Sequence, residues 1–328
     1  MPGDILCVTL HDIRPQGVGV ACCNPRSGQL SHMIHPNEDN VSGLSIKFFD
    51  LLSMDNCRMV RMRDDDCRDY SVELKRQSKK QGEQQQQENE QQKADESDAT
   101  NHSTTTPDSG MRQRRRIAPI LFPMAPMLGV IGVAPDGNHA ISTIPAGKHG
   151  GNLDNNCNGI GSTIYLKVSH PGALLSIGDM HASQGDGEIS GNGVEIGGHV
   201  LLQCDLIRAK DLYAIENHDT SADSATREGK TIPMTLEYPI TETSTHWITH
   251  GVYEENIPYT TTLACQEAAK VLIGQWGFTA EEAYIFLSVK GDLGLCQSCH
   301  PDVGTQIAKM TVPKLPMCPR PFRCLWTG

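Results

Sequence analysis

Pro126-Met127-Leu128-Gly129-Val130-Ile131-Gly132-Val133-Ala134-Pro135 is the run on which the fold turns. Taken with the residues from Ile117 onward, it is long and apolar enough to imitate a membrane span. Pro119, Pro123 and Pro126 fall in its first half, and a helix cannot keep its hydrogen bonds through that spacing. The run therefore reads as a buried strand whose glycines let another backbone approach closely.

Strand-like pieces extend on both sides of it. Residues 4–10 are short and β-branched between Pro2-Gly3 and the turn signal Arg14-Pro15; runs at 17–22, 44–51 and 57–62 follow. Downstream, runs at 160–168, 173–178, 193–197 and 200–207 are separated by glycines. Near the C-terminus the period changes to helical: Leu263, Ala264, Val271, Leu272 and Ile273 share a helix that Gly274 to Gly277 ends. A second helix opens with the capping box Thr279-Ala280-Glu281-Glu282, and the two should pack as an antiparallel pair against the sheets. The expected fold is mainly β. Its parts are an N-terminal β portion (1–72), an insert (73–116), a β-rich core (117–260), and a helical pair with C-terminal tail (261–328) in the same domain.

The insert is Gln, Glu, Lys, Ser, Thr and Asp with almost no large apolar residue, so it cannot bury enough surface to offset its ordering entropy. It ends in Arg112-Gln113-Arg114-Arg115-Arg116, a solvated charge run on a chain of net charge −11. That acidity argues against nucleic acid and anionic membrane as partners, both being polyanions. Twelve cysteines in 328 residues are too few and too irregular for a disulfide scaffold. Reduced thiols and the lack of a signal-like start at Met1-Pro2-Gly3-Asp4 point to the cytoplasm.

The densest polar constellation is residues 178–188. On a strand Asp179 and His181 project the same way, and a glycine turn at 183–187 should return Glu188-Ile189-Ser190 antiparallel beside them. Two carboxylates and an imidazole converging there make a metal site; the plain alternative is a surface hairpin with a satisfied histidine. His149-Gly150-Gly151-Asn152-Leu153-Asp154 adds an imidazole, a carboxamide and a carboxylate. Glu195 lies between Val194 and Ile196 with its direction toward the site open.

These runs, 126–135, 149–154 and 178–188, closely resemble the acetamidase/formamidase family, in family order and at family-like separations, with Val194-Glu195-Ile196 following where that family also carries a glutamate. The resemblance implies a β-sandwich-like fold with a small helical addition, hydrolysis of small aliphatic amides of the formamide or acetamide type, and a divalent metal. It transfers to His149, Asn152, Asp154, Asp179, His181, Glu188 and Glu195. On chemical grounds Asp179, His181, Asp154 and His149 are the expected metal ligands. Glu188 is the expected proton carrier with Glu195 as its alternate, and Asn152 and Gly151 are expected at the substrate. Mixed imidazole and carboxylate donors favour zinc, with calcium or another divalent ion as alternatives. The partner is a small amide, and a homo-oligomer is compatible. Two departures stand out: the insert, and the absence of several family strands ahead of residues 1–4. A sheet lacking those strands exposes an unpaired edge, which keeps a noncatalytic or degenerate remnant as the runner-up.

Cys296-Gln297-Ser298-Cys299-His300 matches the haem-attachment pattern, but without an export signal its cysteines read as incidental thiols. Cys318 and Cys324 complete no common zinc spacing with them.

Overall fold

A computed structural model describes residues 1–23, 28–33, 44–54, 57–63, 120–212, 236–253, 256–299 and 306–325. The insert and its arginine run lie outside the described residues. Among the described residues, fourteen strands form one antiparallel sheet. They are β1 (Ile5–Cys23), β2 (Ser45–Met54), β3 (Cys57–Met62), β4 (Ile120–Pro123), β5 (Met127–Gly132), β6 (Ala146–Gly147) and β7 (Gly150–Asn152). After these come β8 (Thr163–Lys167), β9 (Ser176–His181), β10 (Glu195–Ile207), β11 (Ile240–Glu242), β12 (His246–Tyr253), β13 (Asp292–Gln297) and β14 (Gln306–Pro313). The order is β13-β14-β12-β11-β8-β1-β10-β9-β5-β7-β6, and a β2-β3-β4 meander branches from the end of β1.

The start of β1 explains why the sheet curls into layers. Ile5 and Cys7 face one core and Leu6, Val8 and Leu10 the other, so the strand is buried on both sides and reads as a continuous apolar run. On the first side lie the helices α1 (Ile257–Trp276) and α2 (Ala280–Lys290), which set Ala264, Ala268, Val271, Leu272, Ala283 and Leu287 against Trp247, Met310 and Val312. On the second side the β5-β7-β9 limb folds back, with Leu128, Ile131, Leu153 and Met180 against Val8, Ile164 and Leu166. Each large apolar side chain so buried contributes about 1.5–3 kcal/mol relative to exposure. The mainly β, sandwich-like architecture with a C-terminal helical pair is thus present, and among the described residues no helix is long and apolar enough to cross a membrane.

Local signals held at the helices. Asn256 caps α1 through Tyr259 N–H (2.8 Å), Gly277 ends it in the left-handed region, and both bonds of the Thr279/Glu282 capping box form. Gly274, expected at the helix end, lies within α1.

Two strand expectations are corrected. The runs at 4–10 and 17–22 are one 19-residue strand that passes straight through Arg14-Pro15. On one side β1 pairs with β10; on the other, β8 pairs with residues 5–9 and β2 with 18–23, so Pro15 falls where one edge is open and a missing N–H costs no ladder bond there. The runs at 193–197 and 200–207 likewise merge into β10.

Candidate metal and active site

His181 ends β9 with Met127 of β5 opposite it on one side and Glu195 of β10 on the other. Directly opposed residues of an antiparallel pair share a face, which settles the direction of Glu195: its Oε2 lies 3.0 Å from His181 Nε2, and Asp179 Oδ1 lies 3.5 Å from the same atom. The imidazole itself is buried, while the two acids are about one-third exposed.

Gln184 fixes the ring. Its Nε2 donates to the Asp154 carbonyl (2.5 Å), so its Oε1 is left to accept from His181 Nδ1 (2.7 Å). Nδ1 therefore carries a proton, and the surrounding carboxylates decide what Nε2 holds. Burial works against a charged imidazole, but Asp179 and Glu195 more than offset it and raise the His181 pKa to about 11. Nε2 is nonetheless aligned for a hydrogen bond to neither acid.

Asp154 arrives from the other side. Its backbone N–H donates to the Gly129 carbonyl (3.2 Å), its φ is 43°, and its Oδ2 accepts from Gln297 Nε2 (2.5 Å). Its Oδ1 is buried without a partner. Burial, with Glu188 adding to it, pushes this carboxyl up to about 9. Behind it the buried Asn155 Nδ2 meets His250 Nε2 (2.8 Å), and Thr241 donates to Asn158 (2.7 Å), which anchors the turn.

Glu188 does not sit on a returning strand. The chain from 182 to 194 is a loop, and the strand that pairs with β9 begins only at Glu195. The loop is stitched to β13 instead: Gly187 N–H donates to the Leu295 carbonyl (2.8 Å), and Ser298 N–H to the Gly187 carbonyl (3.0 Å). This buries Glu188 with Oε2 3.1 Å from Gln297 Nε2, so one amide bridges Glu188 and Asp154. Burial raises the Glu188 pKa as well.

Asp154, His181 and Glu188 each present a donor atom within 4.8 Å of the others, all buried; Asp179, His181 and Glu195 do the same on the exposed side. A Cβ on Gly129 would fall 2.5 Å from both Asp154 Oδ1 and Asp179 Oδ2, so only a glycine leaves the space these oxygens face. A buried carboxylate oxygen without a hydrogen bond, a cradle that a methyl group would fill and a mixed oxygen and nitrogen donor set are compatible with a divalent cation.

Strain marks the same residues. Of five non-glycine residues with positive φ among those described, three are Asp154, Asp179 (55°) and Glu188 (42°). Each costs on the order of 1–3 kcal/mol, which the surrounding contacts must over-determine.

His149, expected as a ligand, is not brought to this cluster. It forms the β6-β7 corner, its carbonyl accepting from Val133 N–H (2.9 Å), four residues along β5 from Gly129 and so about 13 Å away. Asn152 lies opposite Val130 on the strand leading to Asp154, its Oδ1 buried without a partner, and Gly151 pairs with Ile131. The sequence reading missed Gln184 and Gln297, since a carboxamide carries no ligand signal. It also dismissed Cys296 to Cys299, which closes the site: Cys299 Sγ is 3.9 Å from Glu188 Oε2, and burial pushes its thiol up to about 12. Cys318 packs in the helix-side core and Cys296 in the other, so they share no cluster.

The profile of the acetamidase/formamidase family matches residues 136–297, which contain every carboxylate of the cluster and end on Gln297. The chain is 32% identical over 184 residues to the acetamidase of Mycolicibacterium smegmatis, 52% of this chain and 43% of that one. Over these residues the chain is similar to the acetamidase/formamidase family. Over 77 residues it is 40% identical to the formamidase of Methylophilus methylotrophus, 23% of this chain and 19% of that one. The crystal structure of an acetamidase from Bacillus halodurans superposes with a TM-score of 0.62 at 25% identity, covering 95% of this chain and 74% of the other. The chain spans less than half the length of these curated relatives.

Proposed function

We propose that this chain hydrolyses a small linear amide, formamide or acetamide in type, to a carboxylate and ammonia, using a divalent cation held by Asp154, His181 and Glu188. The observation that carries the reading is the buried Asp154 Oδ1, which accepts no hydrogen bond, beside His181 Nε2 and further carboxylates. Support comes from the family and from relatives named acetamidase and formamidase. Mixed nitrogen and oxygen donors favour zinc. When bound, the cation supplies Lewis-acid polarisation of the amide carbonyl and makes water more acidic.

The protein groups divide by exposure. Glu188, first expected as the proton carrier, is buried with Asp154 and Gln297 and takes a ligand's place. Glu195 stands at the rim, with Oε1 accepting from Gly193 N–H (3.0 Å) and Oε2 turned to the histidine. It is the carboxylate placed to take a proton from the attacking water and pass it to the amide nitrogen. The water oxygen bonds to the carbonyl carbon, the protonated nitrogen leaves as the C–N bond breaks, and the acid formed gives its proton to the ammonia. The reducing cytoplasm suits the buried free thiols of Cys7, Cys296, Cys299 and Cys318.

Purified protein supplied with zinc should release ammonia from formamide or acetamide. His181→Ala should lose both turnover and bound metal by elemental analysis. Equal metal content in the two proteins overturns the ligand assignment; metal binding without ammonia release from any amide selects the noncatalytic reading.

A further inference from the structure

Lys309 stands on β14 between Gly294 of β13 and His250 of β12. Side chains alternate along a strand, and Ala308 and Met310 face the helix-side core while Ile307 faces the other. Lys309 therefore projects with Ile307, into the layer that carries the site. It is buried, and among the described residues no other lysine or arginine is. Taking an ammonium out of water is costly unless its partners replace the hydration it loses.

Those partners come from the two segments that carry the buried carboxylates of the centre. Nζ donates to Asn156 Oδ1 (2.9 Å) and to Asp186 Oδ1 (2.5 Å). Asn156 lies two residues past Asp154, and Asp186 two residues ahead of Glu188 in the 182–194 loop. The lysine stem passes over Gly294: a Cβ there would fall 3.4 Å from Lys309 Cε and 3.8 Å from Asp186 Oδ2. One ammonium from a third segment thus joins the Asp154 turn to the Glu188 loop.

Something has to hold these carboxylates together before a cation arrives. Glu188 disfavours the ionised form of Asp154, so the two, once ionised, repel. Gln297 ties them at their oxygens, and Lys309 ties the stretches of chain that bear them. Ligands already held at the right separation lose less freedom on binding, which raises affinity without any new contact.

We propose that Lys309 is a positioning residue of the cation site: by tying Asn156 to Asp186 it sets the separation of Asp154 and Glu188, and with it the affinity for a divalent ion. This rests on the cation-binding reading above. The lysine acts through the two segments, not by contact with the substrate.

The test is zinc affinity by competition against a chelator, with the unfolding midpoint of the metal-free protein measured beside it. Lys309→Met keeps most of the stem and removes the ammonium. Asp186, with its side chain 55% exposed, is then hydrated by water, so the midpoint should stay within a few degrees. Zinc should bind roughly 10- to 100-fold more weakly, the usual cost of losing a group that orients ligands. Asp186→Ala cuts the same tether from the loop side and should weaken zinc by a similar factor, which keeps the test standing if Lys309→Met misfolds. Because both remove one tether, the double variant should lie within about threefold of the weaker single variant, where independent effects would multiply. Excess zinc should restore ammonia release to Lys309→Met, since every ligand remains. Wild-type zinc affinity in folded Lys309→Met overturns the proposal and leaves the amidase reading intact. Zinc loss that appears only with loss of fold in both single variants makes the lysine a structural ion pair and overturns it too. The same affinity losses in a protein that releases ammonia from no amide support the positioning role and overturn the amidase reading.

Discussion

The two ends of the sheet obey different rules. At the helix-backed end, local chemistry and tertiary structure agree: Asn256 and Thr279 cap their helices, Gly277 takes the left-handed turn, and Ala264, Ala268, Val271 and Leu272 form one stripe against Trp247. At the site end three acids stand at positive φ, a carboxylate oxygen is buried without a partner, and like charges crowd one imidazole. Consistency marks the part that only has to be stable; conflict marks the part that has to hold something. The stability of the first region supports the strain of the second.

If that division is real, changes at the site end should appear in turnover with little effect on folding. Glu195→Gln should reduce ammonia release by roughly 10² to 10⁴ while bound metal and unfolding midpoint are retained, the usual range for a proton carrier. Metal loss in this variant would make Glu195 a ligand instead.

His250 tests the support beneath the site. Its ring is fully buried, which lowers its pKa from 6.5 to about 4 although its Nδ1 hydrogen bond to the Pro239 carbonyl opposes the shift. The unfolded chain takes up this proton near pH 6.5 and the folded chain only near pH 4. Its contribution is therefore complete above pH 6.5 and lost as pH falls toward 4, by up to about 3 kcal/mol. Denaturant titrations at pH 7 and 4.5 should show His250→Gln losing less stability on acidification than the wild type.

A smaller effect is expected at the bridging amide. Gln297→Leu should weaken zinc binding by roughly 10- to 100-fold, the usual cost of losing a group that orients ligands, with competition against a chelator as the readout. The smallest lies at the opposite end: Thr279→Ala should cost about 1 kcal/mol of stability by removing a cap, and ammonia release measured beside it should not change.

What the residues disclose follows the same division. The helices, the buried strand at 126–135 and the Asp179/His181 pair are written in periods of 3.6 and 2, which depend on near neighbours alone. Pro15 misled because a proline signals a turn unless the partner strand leaves its edge open, and the open stretch between β8 and β2 is a property of the whole sheet. Glu188 was legible as a site residue but not its position, because β13, not the next few residues, holds its loop. His149 was assigned by its neighbours in a motif, while the β6-β7 hairpin points that motif's two ends to different places. Gln184 and Gln297 carry no signal of type or spacing and are found only when the chain has closed on itself.

The amide of Gln297 meets Asp154 across 143 positions of chain and Glu188 across 109. Contacts this remote form late, after loop-closure entropy has been overcome. A nascent polypeptide can pair β1 with β8 and β10 as soon as these have emerged from the ribosome, yet its Asp154 and Glu188 stay uncrossed until the segment after α2 emerges. During synthesis, the pairing of β1 with β8 and β10 can therefore precede the closing of the centre by Gln297.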